Sequence, residues 1–546
     1  MPPLISQAIP RGQDLLPDVM RACRDRRGGV KIVDSTGAEL TGGELLTRAL
    51  VLRALLRRHV LAEDEPRVAI LLPPSAAAVV TNMALALDRR VTLNLNYTLT
   101  AEQLNESLRQ AGIRHVLTSR RFLEKVPLEL DAEMVFLEDL RERPTRLDKV
   151  TGALLGYVAP IPLVVKLLGL ERIAGDDVMT LIFTSGTTDQ PKGVMLTYTN
   201  LAASIEAVDS VVHWSADDVL IGVLPFFHSF GSTIALWSML VKDIKVAYHA
   251  NPLDGQAVGR LCREQRGTIL PVTPMFLRNY VRRCEVADFA SLEMVATGGE
   301  RLPPELSDAF EEKFGIRPFE AYGVTEMAPL ISSNAPSERA ADAAAVTLRE
   351  GTVGRPVAGV RAKVVDLDTG AELGSGEQGL LLVTGPNVMK GYLGQPEATA
   401  AVIRGGWYVT GDVAVIDADG FIRLVDRQSR FAKIAGEMVP FAAVESALTG
   451  IVGTDDEGGP RVVVTSVPDP DRGERLIVVH TPLSFAPEEL RRGLAAAGLP
   501  NLFLPSRDSF VEVAALPVVG TGKLDLKGIK RIALDAVAAA PARTEA

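Results

Sequence analysis

The chain has 546 residues, of which 47% are apolar and 23% charged, and its formal net charge is −10. Single cores seldom grow beyond about 250–300 residues, so this length predicts more than one domain. The composition is typical of a soluble globular protein, and the acidic balance argues against general nucleic-acid binding. Cys23, Cys262 and Cys284 are too far apart for a metal or redox motif and suit a reducing cytoplasm.

The N-terminal part predicts alternating helices and strands. The first residues lack a basic region followed by an apolar core, so no secretory signal is evident. Thr41 precedes apolar residues at helical spacing and is the predicted cap of a helix. Residues 68–72, VAILL, predict a buried strand that ends at two prolines. This alternation favours a layered α/β fold.

Residues 152–170 form an almost uniformly apolar stretch, GALLGYVAPIPLVVKLLGL. Its length approaches that of a membrane span, but two prolines, three glycines and a lysine interrupt it. A spanning helix is therefore disfavoured. The favoured interpretation is a packed or partly exposed insertion, and the alternative is a patch that contacts a membrane surface peripherally.

Residues 184–193, TSGTTDQPKG, have the composition of a phosphate-binding loop. A buried strand is predicted just before them, at 178–183, and a helix capped by Thr199 or Asn200 is predicted after the apolar run at 194–197. Glycines allow close backbone approach, N–H groups and hydroxyls donate to phosphate oxygens, and a lysine supplies positive charge. The pattern therefore predicts polyphosphate binding.

A kinase-type phosphate loop is excluded by two positions. Pro191 stands where the second glycine of that motif belongs, and Gly193 stands where a hydroxyl would bind magnesium. A second near match, residues 517–524, fails at both ends in the same way. The loop therefore binds phosphate by another arrangement, and a phosphoryl-transfer enzyme is a weakened alternative.

The C-terminal part predicts small β-rich and mixed regions. Residues 361–366 and 379–384 predict strands of a small barrel-like β subdomain, and residues 417–420 predict a hairpin turn. A domain boundary is predicted near residues 426–430, because a compact region with its own strand and helix signals follows. That region includes a predicted helix at 487–497.

The loop at 184–193 resembles the phosphate-binding signature of the adenylate-forming enzymes, which include acyl-CoA synthetases, luciferases and peptide-synthetase adenylation domains. Segments that resemble the adenine and magnesium, ribose, hinge and catalytic-lysine motifs of that family follow in the expected order, at 322–326, 407–412, 426–437 and 520–523. The resemblance implies an α/β fold with a large N-terminal adenylation domain, residues 1–426, that combines layered α/β subdomains with a small β-barrel. It also implies a smaller, mobile α+β lid, residues 427–546.

The resemblance implies ATP and Mg²⁺ as cofactors. It assigns the β- and γ-phosphates to Ser185, Thr187, Thr188 and Lys192, and it includes Thr184 and Gly186 of the same loop among the nucleotide-binding residues. It assigns the rest of the nucleotide to Gly298, Gly299, Glu300, Tyr322, Gly323, Asp412, Arg427, Lys433 and Gly436. Glu326 would ligate Mg²⁺, which prefers carboxylate and phosphate oxygens, and Thr325 would reach the α-phosphate.

The implied reaction is attack of a carboxylate on the α-phosphate of ATP, in which two anions meet. Catalysis then comes from positioning and charge neutralisation rather than from a protein nucleophile. Lys523, delivered by the lid, would stabilise the developing negative charge, and His228 would lie near the carboxylate. Two positions depart from the family: Asp189 replaces a loop glycine, and Ser429 replaces the usual hinge Asp or Lys.

Residues 224–232, LPFFHSFGS, resemble the segment that opens the acyl pocket. No acidic residue that would pair with the ammonium group of an amino acid occurs in 226–237, which favours an apolar acyl chain. Residues 94–98, 226–231 and 429–439 are similar to the synthetase half of bacterial acyl-ACP synthetase/acylglycerophosphoethanolamine acyltransferase proteins. The resemblance extends to the synthetase half only, and a free-standing synthetase is therefore expected.

The resulting hypothesis is an AMP-forming ligase that joins a fatty acid to acyl carrier protein or CoA, in the cytoplasm or peripherally at the inner face of the membrane. An acyl- or aryl-CoA ligase for a shorter or aromatic acid is the alternative. A catalytically idle binding module is disfavoured because Glu326 and Lys523 are both present. Arg278, Arg282 and Arg283 are a candidate docking face for the acidic carrier protein, although an ordinary solvated helix face is favoured.

Overall fold

The computed structural model describes residues 11–184, 191–342, 346–435, 437–455, 458–470, 472–518 and 524–539. The chain divides into two compact units. The first consists of Met1–Ala362, Leu382–Val409 and Ala418–Ile422, and the second of Lys363–Leu381, Thr410–Asp417 and Arg423–Ala546. The predicted boundary between residues 426 and 427 concerns which part moves as a lid, and it stays a prediction.

The first unit contains a seven-stranded sheet that carries the predicted phosphate strand. In spatial order its strands are Gly391–Tyr392, Lys192–Thr197, Val178–Thr184, Val91–Asn94, Arg67–Leu71, His115–Thr118 and Glu133–Phe136. The last five strands are parallel, and the first two are antiparallel to their neighbours. Parallel strands buried on both faces need nearly continuous apolar sequence, which is what residues 68–72 have.

A nine-stranded sheet in the same unit has a parallel centre and antiparallel ends. In spatial order its strands are Arg355–Pro356, Leu330–Ser333, Phe319–Gly323, Met294–Thr297, Ile269–Val272, Val219–Gly222, Lys245–Tyr248, Val30–Asp34 and Glu39–Thr41. The carboxyl ends of the parallel strands therefore meet at one edge, where ligand-binding loops of α/β sheets lie.

Two further sheets have five strands each. One contains Arg361–Val365, Gln378–Thr384, Trp407–Ile416, Ile403–Arg404 and Ile422–Arg427, the last paired with Trp407–Ile416. The other contains Glu437–Pro440, Phe431–Ile434, Gly473–His480, Val462–Asp469 and Phe510–Glu512, the last paired with Gly473–His480. The predicted strands at 361–366 and 379–384 and the turn at 417–420 are present.

The helices alternate with the strands through most of the chain. The α-helices are Leu15–Asp25, Gly42–His59, Ala76–Leu87, Ala101–Ala111, Arg120–Leu123, Leu137–Arg141, Arg146–Ala153, Ile161–Leu168, Tyr198–Asp209, Gly255–Gln265, Pro274–Arg283, Pro304–Phe314, Pro396–Val402, Phe441–Val452, Pro487–Ala496 and Leu526–Ala539. Two π-helical segments are Leu154–Val158 and Phe230–Ser238. Thr41 caps its helix as predicted, in a capping box with Glu44.

The helix cap predicted after the phosphate loop is wrong. Thr197, rather than Thr199 or Asn200, caps helix Tyr198–Asp209, and Asn200 is the third helical residue of the capping box. The strand Lys192–Thr197 runs directly into this helix, so the last residue of the strand serves as the cap. The sequence at 194–197 does not indicate that the helix follows the strand directly, without a loop.

The second unit has a sheet with an apolar core on each face. Along strand Val462–Asp469 and strand Gly473–His480, alternate residues contribute to two different clusters, as the two-residue period of a strand requires. Helices Phe441–Val452 and Pro487–Ala496 contribute to one cluster and helix Leu526–Ala539 to the other. Among the residues that the structure describes, no helix is long and apolar enough to cross a membrane.

Candidate functional site

The predicted phosphate loop connects the two strands of an antiparallel pair. Thr184, the last residue of its strand, pairs directly with Lys192, the first residue of the next strand. The predicted ligands Ser185, Gly186, Thr187 and Thr188, together with Asp189, lie outside the described residues. The Lys192 ammonium lies 5.1 Å from the centre of the Tyr392 ring, a cation–π distance.

Thr325 and Glu326 lie in a short 3₁₀ turn between two antiparallel strands, Phe319–Gly323 and Leu330–Ser333. The start of the turn is closed by the Val324 N–H, which donates to the Pro329 carbonyl at 3.0 Å. A Cβ atom on Gly323 would collide with that same carbonyl. Glycine is therefore required where the chain enters the turn that carries Thr325 and Glu326.

Glu326 is held through both its side chain and its backbone. The Tyr392 hydroxyl donates to a Glu326 carboxylate oxygen at 2.7 Å, and the Met389 N–H donates to the Glu326 carbonyl at 2.7 Å. Burial and the nearby Glu326 charge raise the pKa of Tyr392 above its usual value. The hydroxyl thus stays protonated and donates to the carboxylate, and Tyr392 contacts both Lys192 and Glu326.

Asn387 secures the other end of the same turn. Its buried side-chain amide donates to the carbonyls of Met327 and Leu330, at 2.8 Å each. Neither Asn387 nor Tyr392 was predicted from the sequence. The available signal was a cluster of turn residues at 384–394, TGPNVMKGYLG, directly after an apolar strand.

The predicted acyl segment lies beside the Thr325 turn. The Ser229 hydroxyl is 3.4 Å from the Thr325 hydroxyl, so the segment that contains His228 lies beside the turn that carries Thr325. His228 is exposed, and its ring centre lies 4.6 Å from that of buried Phe227. The segment continues as a π-helix, Phe230–Ser238, a form often found at functional sites.

Tyr97 packs beneath this segment. Its ring meets Phe227 edge-on, with centres 4.8 Å apart, and Phe122 with centres 5.1 Å apart. Within the described part of the chain, the buried Tyr97 hydroxyl has no hydrogen-bond partner. Burial raises its pKa above the usual value, so the group is a neutral hydroxyl. The aromatic contacts connect Tyr97 to His228 through Phe227.

The residues predicted for adenine lie at the carboxyl ends of neighbouring parallel strands. Gly298, Gly299 and Glu300 follow Met294–Thr297, and Tyr322 and Gly323 end Phe319–Gly323. The structure therefore brings the two predicted groups to one edge of the nine-stranded sheet.

Glu320, on the strand that ends with Tyr322, fixes the neighbouring loop. Its carboxylate accepts a hydrogen bond from the Leu302 N–H at 3.0 Å. Burial raises the pKa of Glu320, and the hydrogen bond from Leu302 partly opposes that shift. Glu320 therefore holds residue 302 against the strand, a role that was not predicted from the sequence.

The second unit carries the residues predicted for the ribose and hinge. Asp412 is buried, and one of its carboxylate oxygens lies 3.3 Å from Nε of Arg427. The Lys433 ammonium lies 3.5 Å from an exposed carboxylate, Asp368. Ser429 is exposed in a 3₁₀ turn, and Gly436 and Lys523 lie outside the described residues.

Glu326 fits the part of a Mg²⁺ ligand. No group of three or more His, Cys, Asp and Glu side chains in the described ranges could hold a metal ion by itself. Mg²⁺ usually takes one or two carboxylates, several waters and the phosphates of its substrate rather than an all-protein cage. The half-buried Glu326 carboxylate would supply such a ligand when nucleotide is bound.

Solved structures with this fold cover nearly the whole chain. ATP-bound MatB from Rhodopseudomonas palustris matches with a TM-score of 0.75 and 24% identity, covering 94% of this chain and 98% of its own. The o-succinylbenzoate CoA synthetase MenE from Bacillus subtilis, in complex with the acyl-adenylate OSB-AMP, matches with a TM-score of 0.75 and 23% identity, covering 94% and 97%. The predicted fold class is confirmed.

Curated relatives are similar over most of their length. Feruloyl-CoA synthase from Amycolatopsis sp is 30% identical over 85% of this chain and 87% of its own. Long-chain-fatty-acid–CoA ligase from Escherichia coli O157:H7 is 27% identical over 80% and 81%. The family described as AMP-binding enzyme matches residues 20–393. The chain therefore belongs to the AMP-binding enzyme family, the adenylate-forming enzymes.

Proposed function

We propose that the protein is an AMP-forming ligase that activates a carboxylic acid as an acyl-adenylate and transfers the acyl group to a thiol. The observation that carries the proposal is the 3.4 Å approach of the Ser229 hydroxyl to the Thr325 hydroxyl. This contact supports the proposal, because residues 224–232, which we propose to open the acyl pocket, then lie beside the turn with the proposed α-phosphate and Mg²⁺ residues. A phosphoryl-transfer enzyme would not need the carboxylate-binding segment that we propose here.

The proposed reaction has two steps. A carboxylate oxygen attacks the α-phosphorus of ATP, the bond to the β-phosphate oxygen breaks, and pyrophosphate leaves. The thiol sulfur then attacks the acyl carbon, losing its proton, and AMP leaves. In the first step Lys192 would hold the leaving pyrophosphate, and Thr325 would orient the α-phosphate. Positioned cations and donors are the main source of rate in such transfers between anions.

Within this proposal the substrate is a fatty acid. The segment 226–237 offers His228 but no acidic side chain for an ammonium group, and Phe226 and Phe227 are buried beside it. The similarity to a long-chain-fatty-acid–CoA ligase supports this choice. An aromatic acid is the second candidate, because feruloyl-CoA synthase and a 4-coumarate–CoA ligase from Oryza sativa subsp. japonica are each 30% identical to the chain.

CoA and acyl carrier protein are both proposed acceptors. The relatives named as CoA synthases and CoA ligases favour CoA. Carrier protein is supported by a basic stretch on helix Pro274–Arg283, where Arg282 and Arg283 are exposed and Arg278 is half-buried. A cytoplasmic location and a peripheral membrane contact through residues 152–170 belong to the same proposal, since fatty acids partition into lipid.

Acid-dependent exchange of label between pyrophosphate and ATP tests the proposal. We expect exchange with C4–C18 fatty acids, with a chain-length optimum, and weaker exchange with ferulate and 4-coumarate. Product analysis should find AMP; formation of ADP would refute the mechanism. Thioester formation with CoA and with carrier protein, compared at equal concentrations, decides the acceptor. If the exchange rate is highest with an aromatic acid, the substrate is the second candidate, an aromatic acid.

A further inference from the structure

Residues 146–158 pack on helix Gly42–His59 with one defined face, and the following helix Ile161–Leu168 packs on helix Leu15–Asp25. A Cβ atom added at either of two glycines would lie closer to that helix than any side chain tolerates: 2.6 Å from Val51 at Gly152 and 2.5 Å from Thr47 at Gly156. Arg24 also donates from its guanidinium to the Gly156 carbonyl at 3.1 Å. These close contacts fix which face of the segment is turned inward and which outward.

The outward face of this segment is apolar. Six large aliphatic side chains there are 47–74% exposed: Leu147, Val150, Leu154, Val158, Leu163 and Leu167. We name these six residues the aliphatic face. The first four recur at intervals of three and four residues, which places them on one side of a helix. An apolar patch this concentrated marks an interaction surface on a protein.

The aliphatic face is bordered by positive charge. Arg146 and Lys149 are exposed in helix Arg146–Ala153, and Lys166 is exposed in helix Ile161–Leu168. The one acidic residue of these helices, Asp148, is buried and forms an ion pair of 2.7 Å with Arg58. Between residues 141 and 172 there are six basic and three acidic residues, whereas the whole chain carries a net charge of −10. This stretch therefore has a net positive charge within an acidic chain.

We propose that the aliphatic face docks on the surface of an anionic lipid bilayer. Aliphatic side chains flanked by lysine and arginine are typical of helices that lie in the membrane interface. Protein–protein hot spots are instead enriched in Trp, Tyr and Arg and poor in Leu and Val. The contacts and charges that support docking do not depend on the proposed fatty-acid activity. Only the biological purpose of docking rests on that proposed function, because a docked enzyme meets its substrate in the lipid.

Vesicle flotation tests the docking without turnover. The purified full chain should float with phosphatidylglycerol vesicles at low salt and much less with phosphatidylcholine vesicles. The double variant Leu154→Glu/Val158→Glu should lower the partition coefficient for phosphatidylglycerol at least about 30-fold. The matched control Leu253→Glu/Val286→Glu changes two side chains that are 54% and 58% exposed elsewhere, and it should bind like the wild type.

A charge variant tests the docking independently, because it leaves the aliphatic side chains unchanged. Lys149→Gln/Lys166→Gln should lower binding to phosphatidylglycerol about tenfold or more and remove most of its salt dependence. The proposal is overturned if wild type does not float, or if the control variant loses binding equally. It is also overturned if Leu154→Glu/Val158→Glu instead breaks a dimer or a complex with carrier protein.

Failure of docking and failure of the proposed function are distinguishable. The variant Leu154→Glu/Val158→Glu should keep acid-dependent ATP–pyrophosphate exchange with a short, water-soluble fatty acid. Wild-type protein that floats but shows no exchange with any acid would contradict the proposed function and leave the docking surface intact. Wild-type protein that exchanges but never floats would contradict the membrane contact and leave the proposed ligase reaction intact.

Discussion

Tyr392 and Glu326 are joined by a hydrogen bond of 2.7 Å from the phenol to the carboxylate. The same aromatic ring lies under the Lys192 ammonium. The strand Gly391–Tyr392 pairs with strand Lys192–Thr197, so one strand pairing sets both contacts. One tyrosine therefore orients the proposed magnesium ligand and the proposed pyrophosphate ligand together.

Replacing Tyr392 by phenylalanine should lower the rate of adenylate formation, because Glu326 would bind Mg²⁺ less well. Hydrogen bonds to charged groups contribute about 1.5–3 kcal/mol, so we expect acid-dependent ATP–pyrophosphate exchange to fall about 10- to 100-fold. The Mg²⁺ concentration at half-maximal rate should rise, because Glu326 is no longer oriented. Initial exchange rates measured across a Mg²⁺ series provide the check.

Tyr280→Phe is the matched control for this variant. The buried Tyr280 hydroxyl donates to the Pro252 carbonyl at 2.9 Å in the same unit, away from Glu326. Its loss should lower the melting temperature without changing the Mg²⁺ dependence. An unchanged Mg²⁺ dependence in Tyr392→Phe would show that Glu326 does not ligate the metal.

Lys523→Ala should separate the two half-reactions. The lysine is proposed to neutralise charge between the carboxylate and the α-phosphate, which is needed for adenylate formation only. We expect exchange to be abolished, while thioester formation from supplied acyl-adenylate stays largely intact. The control Lys527→Ala removes an exposed lysine four residues away and should affect neither step. Equal loss of both steps in Lys523→Ala would contradict the lid assignment.

Tyr97→Phe should stabilise the protein. A buried hydroxyl without a partner costs about 1–3 kcal/mol, so its removal should raise the free energy of unfolding by about 1 kcal/mol. Tyr248→Phe should do the opposite, since its buried hydroxyl donates to the Ala235 carbonyl at 2.7 Å. Urea unfolding followed by tryptophan fluorescence compares the two. Destabilisation of Tyr97→Phe would reveal a partner for that hydroxyl.

Glu320 should make stability depend on pH. Because burial raises its pKa above 4.5, the folded protein holds this proton at pH values where the unfolded chain has released it. The free energy of unfolding should therefore fall as pH rises from 4.5 through the raised pKa. In Glu320→Gln this fall should be smaller, while the amide oxygen still accepts from Leu302. Unfolding curves recorded at several pH values measure this fall for both proteins. The same pH dependence of stability in wild type and Glu320→Gln would contradict a raised pKa of Glu320.

Local sequence patterns predicted the elements that depend on local chemistry. Thr41 and Glu44 form the expected capping box, and residues 68–72 supply a buried parallel strand. The cap before helix Tyr198–Asp209 was wrong by two or more positions, because a polar run TYTN offers several hydroxyl and amide caps. Only the pairing of the preceding strand selects Thr197 among them.

The site residues that were not predicted from the sequence make contacts with residues far away in the chain. Tyr392 meets Glu326 across 66 positions, and Asn387 reaches the carbonyl of Met327 across 60. No periodicity or spacing encodes such a pair, since the partners lie in a single 3₁₀ turn, a loop and a two-residue strand, all too short to show a pattern. The resemblance supplied Glu326 because its motif is local, and it supplied nothing for the residues that hold it.

The second unit is assembled from three separate stretches of chain, and this matters for recombination between relatives. Asp412 and Arg427 both belong to that unit and form an ion pair, yet they lie on opposite sides of the boundary at 426. A hybrid enzyme joined at a single crossover there would take the aspartate from one parent and the arginine from the other. Parents matched at both positions are therefore the ones to recombine.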